Sequence, residues 1–145
     1  MMIYRQATPA DAAACAAIEQ QQPLAAGWGL NGFESELKQP YGRVWCACEQ
    51  AQVVGFLALR AVADSAEILN VAILPNYTRR GIGYALLARA LTDLQARKVS
   101  RVTLEVAADN RAAQALYEKG GLTVFGQRKD FYGIGKHALL MGKDL

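Results

Sequence analysis

The chain is poor in the residues from which most ready-made reactive centres are assembled. It has one histidine, His137, and three cysteines, Cys15, Cys46 and Cys48. His137 has no neighbour in sequence that suggests a metal or a triad, so it reads as a surface or strand residue. The cysteines are odd in number and follow no zinc or redox spacing. With no signal-peptide pattern ahead of them, they are expected to be reduced thiols of a cytoplasmic protein, and no metal is expected. Charge is sparse too, at 20% of residues with a net +3. Without a lysine-rich block or an arginine stripe, nucleic acid is not an expected partner. No apolar run approaches the length of a membrane span, so no membrane partner is expected either. Linkers and internal repeats are also lacking, and the expected state is a monomer or a weak dimer.

What is present is a globular sequence. With 145 residues, 52% of them hydrophobic, one domain covering 1–145 can close its own core. Met1 to Gln6 reads as a first strand. Thr8-Pro9-Ala10-Asp11 then reads as an N-cap, a proline in the first turn and a capping-box acid, opening an alanine-rich helix toward Gln21 that Pro23 stops. Leu24 to Leu30 is irregular around Gly27-Trp28-Gly29, and Asn31 with Glu34 predicts a short capped helix to about Lys38. Trp28 could line a peptide groove or anchor this loop to the core; the sequence leaves both open. Arg43–Glu49 and Val53–Val62 form a hairpin, the first strand half-exposed by its alternation of Val44, Cys46 and Cys48, the second buried on both faces.

The stretch from Glu67 to Arg97 is the most informative. Glu67-Ile68-Leu69-Asn70-Val71-Ala72-Ile73-Leu74 is a buried strand ending at Pro75-Asn76. Tyr77-Thr78-Arg79-Arg80-Gly81-Ile82-Gly83-Tyr84-Ala85 follows, and Leu86, Leu87, Ala90, Leu91 and Leu94 share one face of the next helix. A helix opening this way is an anion site in waiting: its first N–H groups lack intrahelical partners and the dipole is positive there. Gly81 and Gly83 bring no Cβ to block a phosphate, and Arg79 and Arg80 can add charge. An ordinary βα unit has the same parts, so spacing alone leaves both readings standing. The dinucleotide fingerprint does not fit, since Leu86 fills the third glycine position, and no Gly-Lys-Ser/Thr completes a P-loop.

Further strands are expected at Arg101–Val106, Leu122–Lys129 and His137–Lys143, with a helix from Arg111 to Lys119 capped by Asp109 or Asn110 and stopped by Gly120-Gly121. The order β, α, α, β, β, β, α, β, α, β, β implies an α/β (α+β mixed) fold: a central sheet with helices on both faces. If the strands containing Glu67 and Glu105 run parallel, their carboxyl ends border the crevice where ligands bind.

Arg80-Gly81-Ile82-Gly83-Tyr84-Ala85 resembles the Gln/Arg-x-x-Gly-x-Gly/Ala pyrophosphate loop of the GNAT superfamily of N-acetyltransferases. Leu104-Glu105-Val106, Asn110 and Ala115-Leu116-Tyr117 resemble the second half of such enzymes, most closely the RimI-type ribosomal-protein-alanine N-acetyltransferases. The resemblance covers nearly the whole chain, including Trp28 and the pair Phe131-Tyr132. It implies a single-domain GNAT fold whose mixed, mostly antiparallel sheet has a parallel pair at the cofactor cleft. It also implies acetyl-CoA as co-substrate, bound by backbone groups of Val71, Ala72 and Ile73, by Arg79, Arg80, Gly81, Ile82, Gly83 and Tyr84 at the pyrophosphate, and by Asn110 on the pantetheine arm. Glu105 would be the base and Tyr117 the acid, with Glu67 a rival base as in other GNAT branches. The implied acceptor is a protein N-terminal α-amine, the N-terminal alanine of a small-subunit ribosomal protein. A small amine such as a polyamine, amino acid or drug, or a non-catalytic acyl-CoA-binding regulator, are the other readings. The sequence departs from the RimI type in a short segment after Tyr132, in His137 where an acid is usual, and in Gly120 and Leu122 where Leu-Gly-Phe is usual.

Overall fold

The computed structural model describes residues 1–145. Strand β1 (Met2–Gln6) leads through a 3-10 turn, Pro9–Asp11, into α1 (Ala12–Gln20), followed by α2 (Gly29–Lys38). Three consecutive antiparallel strands come next: β2 (Gly42–Glu49), β3 (Gln52–Val62) and β4 (Ser65–Ile73). Then α3 (Ile82–Ala96), β5 (Arg101–Ala107), α4 (Arg111–Lys119), β6 (Thr123–Arg128) and β7 (Ala138–Asp144) complete the chain. The sheet has seven strands in the order β1-β2-β3-β4-β5-β7-β6, antiparallel throughout except for β4 beside β5. No helix is long and apolar enough to cross a membrane.

Two cores sandwich this sheet, as the expected mixed architecture requires. On one face Ile82, Leu86, Leu87, Ala90, Leu91 and Leu94 of α3 pack with Val102, Leu104 and Val106 of β5 and with Tyr117 of α4. On the other, Cys15 and Ile18 of α1 and Phe33 of α2 cover Val44, Cys46, Cys48 and Phe56. Each fully buried aliphatic side chain contributes roughly 1.5–3 kcal/mol, so the leucine stripe of α3 supplies much of the adhesion between helix and sheet. The three cysteines are all buried and free. The hydrogen bond to Cys15 and burial together push the Cys46 thiol up, so it packs as an inert hydrophobe.

Strand β2 is not half-exposed as its alternation suggested. Ala47 on its second face is as buried as Cys46, because α3 covers that side. The start of α2 also lies earlier than Asn31. Trp28 is its N-cap and Asn31 sits inside the helix, so the Asn31–Glu34 pair caps nothing. The cap is supplied from another element: the Glu19 carboxylate of α1 accepts from the backbone N–H of Trp28 (2.7 Å) and of Gly29 (2.9 Å). The Thr8-Asp11 turn forms as expected, with Thr8 N–H donating to Asp11 Oδ2 at 2.8 Å.

Candidate active site

The site is a fork in the sheet. Strands β4 and β5 pair only from Ser65↔Arg101 to Glu67↔Thr103. Beyond that, β4 stays with β3 as far as Ile73, and β5 stays with β7 as far as Ala107. The two backbones part and leave facing edges unpaired, polar groups that want a ligand. A bulge in β4 accompanies the split: Ile68 and Asn70 pair with adjacent residues of β3, leaving Leu69 without a partner. Bulges bend a strand and re-aim its side chains. Ala66 and Ile68 point into the α3 core, whereas Asn70 and Ala72 turn toward α1.

Val71, Ala72 and Ile73 lie on this unpaired stretch, at the end of the strand that runs into the arginine-glycine loop. In that loop Arg79 (φ +64°) and Gly81 (φ +80°) both take left-handed backbone conformations. Gly81 is the N-cap of α3, which no side chain caps, so its first amides remain available to an anion. Arg79 and Arg80 are exposed, and the Arg80 guanidinium lies 4.9 Å from the Tyr77 ring centroid. Ile82 is buried and anchors the first turn, while Tyr84 stays partly exposed beneath Lys119, whose Nζ is 4.5 Å from its ring centroid. Lys119 is a third cation near the loop that sequence spacing did not reveal.

The two glycines differ in purpose. At Gly81 a Cβ would meet nothing within 4 Å, so the left-handed φ is what demands glycine. At Gly83 a Cβ would stand 3.3 Å from Leu116 Cδ2, so its bareness also serves the approach of α4 to α3. Asn110 caps α4, its Oδ1 accepting from Ala113 N–H at 3.2 Å, which leaves its amide Nδ2 as the group that can face a ligand.

Glu105 and Glu67 line one cavity of ≈ 240 Å³ with Thr103, Leu104, Phe125, Arg128 and Leu140. Because Val102, Leu104 and Val106 face α3, the period of two turns Glu105 to the opposite face. Its Oε1 is 2.9 Å from Arg128 Nε, a partner the sequence did not reveal. Arg128 lies 5.6 Å from the Phe131 ring centroid, and Phe131 stacks edge-on with Tyr132 at 5.0 Å. Burial and the negative charge of Glu105 together raise the Tyr132 phenol, which puts that half-exposed ring within electrostatic reach of the carboxylate. His137 closes the same loop, its Nδ1 accepting from Asp130 N–H at 3.0 Å.

Tyr117 is on the far side, within the α3 core and 7% exposed. Burial alone pushes its phenol up to about 12. The two groups singled out for proton transfer therefore lie on opposite faces of the sheet. They can serve one reacting centre only through the gap where β4 and β5 part. Trp28 both anchors and lines: it packs on Phe33 at 5.2 Å between centroids and borders a second cavity of ≈ 410 Å³ with Leu69, Arg60 and Glu36. No three metal-binding side chains converge anywhere in the molecule.

The matches to known proteins agree with this geometry. The model of the acetyltransferase (GNAT) family matches residues 9–122. The [ribosomal protein bS18]-alanine N-acetyltransferase of Escherichia coli is 34% identical over 113 residues, covering 78% of this chain and 76% of that one. The crystal structure of the ribosomal-protein-S18-alanine N-acetyltransferase from Escherichia coli superposes with a TM-score of 0.89 at 29% identity, over 99% of this chain and 94% of that one. The fold is also that of a PaiA N-acetyltransferase from Thermoplasma acidophilum in complex with coenzyme A, TM-score 0.84 at 19% identity over 100% and 99% of the two chains. A split sheet, an uncapped helix start behind an arginine-glycine loop and a family match over most of the sequence make one conclusion: this chain belongs to the GNAT family of N-acetyltransferases.

Proposed function

We propose that this enzyme transfers the acetyl group of acetyl-CoA to a protein N-terminal α-amine, the alanine terminus of a ribosomal protein of the bS18 kind. The observation that carries the reading is the fork itself, with Glu105 on one face of the sheet and Tyr117 on the other. A cofactor entering from the α3 side and an amine from the α1 and α2 side would meet in the gap. The residues present fit acetyl-CoA: free amides at the start of α3, flanking cations, and, for the amides of a pantetheine arm, the β4 edge at Val71 to Ile73 that β5 leaves open, although Gln22 Nε2 already takes the Ile73 carbonyl. The cofactor supplies an activated thioester; all else falls to side chains and backbone.

An α-amine has an ordinary pKa of about 7.7–8, against about 10.4 for lysine, so little free energy is needed to remove its proton near neutrality. Glu105 accepts that proton, directly or through one water. Its pairing with Arg128 does not forbid this, because Arg128 is more than half exposed and such a pair is worth only about 0–1 kcal/mol. As the amine nitrogen bonds to the acyl carbon and the carbon–sulfur bond breaks, charge builds first on the acyl oxygen and then on sulfur. Unpaired β4 N–H groups face the first. Tyr117 faces the second, donating a hydrogen bond to sulfur and completing proton transfer as the thiolate departs. A phenol at about 12 is a weaker acid than an ordinary thiol near 8.5. The apolar surroundings that raise it would also raise a thiolate held there, narrowing the mismatch.

The test is direct. Purified protein with acetyl-CoA and an alanine-starting peptide of ribosomal sequence should release free thiol and gain one acetyl group on the α-nitrogen by mass spectrometry. Polyamines, amino acids and aminoglycoside-like amines should react at least about 100-fold more slowly in kcat/KM, a gap of about 2.7 kcal/mol. Faster turnover of a free amine would replace the acceptor, and saturable cofactor binding without any thiol release would replace catalysis by regulation.

A further inference from the structure

One buried ionisable group has no part in the chemistry above. Glu19, near the end of α1, is 5% exposed, and Asn70, just past the β4 bulge, is 4% exposed. The Glu19 carboxylate accepts from Trp28 N–H, Gly29 N–H and Asn70 Nδ2, the last at 2.8 Å. Asn70 Oδ1 in turn accepts from Ala26 N–H at 3.2 Å, and Gln22 Nε2 donates to Ile73 C=O at 2.6 Å. Burial alone would raise Glu19; the amides of Gly29 and Trp28 and the Asn70 carboxamide outweigh it and leave the pKa lowered, so the group is held as an anion.

The segment between α1 and α2 is thus pinned to β4 by the Glu19–Asn70 carboxylate–carboxamide pair, with the Gln22 bond to the Ile73 carbonyl beside it. The bulge makes this possible. By leaving Leu69 unpaired it turns Asn70 toward α1, while the backbone of the same strand stays open to the fork. Trp28 of the pinned segment and Leu69 of the bulge both line the second cavity. We infer that Glu19 and Asn70 are positioning residues for the acceptor: they hold the α1–α2 segment and Trp28 against β4, and so set the affinity for the amine substrate independently of that for acetyl-CoA. This rests on the reading that the acceptor approaches from the α1 and α2 face.

Steady-state kinetics of Glu19→Gln, Asn70→Ala and the double variant test it, varying acceptor and acetyl-CoA separately. The carboxamide introduced by Glu19→Gln would turn an N–H toward donors and loosen the segment. Each single change should raise the acceptor KM about tenfold and leave the acetyl-CoA KM within about twofold, and the double variant should be little worse than the poorer single, because both remove one clamp. Asn70→Ala carries the test if Glu19→Gln does not fold, since it leaves the Glu19 carboxylate its two backbone donors. An unchanged acceptor KM in Asn70→Ala, an equal rise in both KM values, or strictly additive effects overturns the inference. Wild-type protein that acetylates free amines but no peptide fails the peptide reading alone, and the same variants are then judged with that amine.

Discussion

Glu105 and Glu67 are two residues of one cavity, separated by a single step along the fork. Glu67 belongs to the last register pair of β4 and β5, whereas Glu105 lies past it, where the backbones have already parted. A carboxylate at the open end reaches an amine in the gap more directly. Glu105→Gln should therefore lower kcat/KM by about 100-fold or more, with Glu67→Gln within about threefold of wild type, in parallel turnover assays. A loss confined to Glu67→Gln would transfer the role. Tyr117→Phe should reduce kcat about tenfold to 100-fold with little change in acetyl-CoA KM. Because a phenol raised to about 12 stays protonated throughout the working range, that deficit should be constant with pH. Wild-type kcat/KM should rise toward about pH 8, because the amine gains free base as pH rises. Residue identity made both groups visible in the sequence; Arg128 beside Glu105 was not, because β6 follows β5 only after a whole helix and meets it through β7.

Among the elements, α3 and its loop were the most legible. The leucine spacing, the paired glycines and the arginines predicted a buried stripe and a free helix start, and both are present. The two glycines separate on substitution. Gly81→Ala forces a side chain into a left-handed backbone at a cost of about 1–2 kcal/mol and disturbs the amides of the first turn. Gly83→Ala meets only the flexible end of Leu116, and the gain of about 0.5–1 kcal/mol in helix propensity offsets the crowding. Urea unfolding should thus show a clear loss for Gly81→Ala and a change near zero for Gly83→Ala. Only the former should weaken acetyl-CoA binding by calorimetry. Helix α2 was less legible, since its capping group comes from Glu19 and no local signal announces a cap supplied by another helix.

For the molecule as a whole, buried anions tie stability to pH. Hydrogen bonding from Arg5, helped by Thr8 N–H against the opposing effect of burial, lowers Asp11 to about 2. Glu19 is lowered as well. In the unfolded chain both titrate near their ordinary values, so the folded state binds fewer protons there. Their stabilisation is complete at neutral pH and is lost as pH falls below about 4 toward the folded values. Asp11→Asn should cost about 1–2 kcal/mol at neutral pH, allowing for screening at the exposed Arg5, and should flatten the acid limb of a stability curve measured by denaturant titration between about pH 6 and pH 2.

The sequence by itself determined the order of elements, the apolar stripe of α3 and the arginine-glycine loop, and it marked Glu105, Tyr117 and Asn110 as candidates, because local periodicity, turn chemistry and short motifs are carried by neighbouring residues. Only the tertiary structure decided that β4 and β5 pair for three residues and then diverge, that Glu105 and Tyr117 stand on opposite faces of that gap, and that Glu19 reaches both α2 and Asn70. Each depends on where the β4 bulge falls and on which strand lies beside which. Such pairings are long-range choices made by packing two cores against one sheet, and no window of sequence contains both partners.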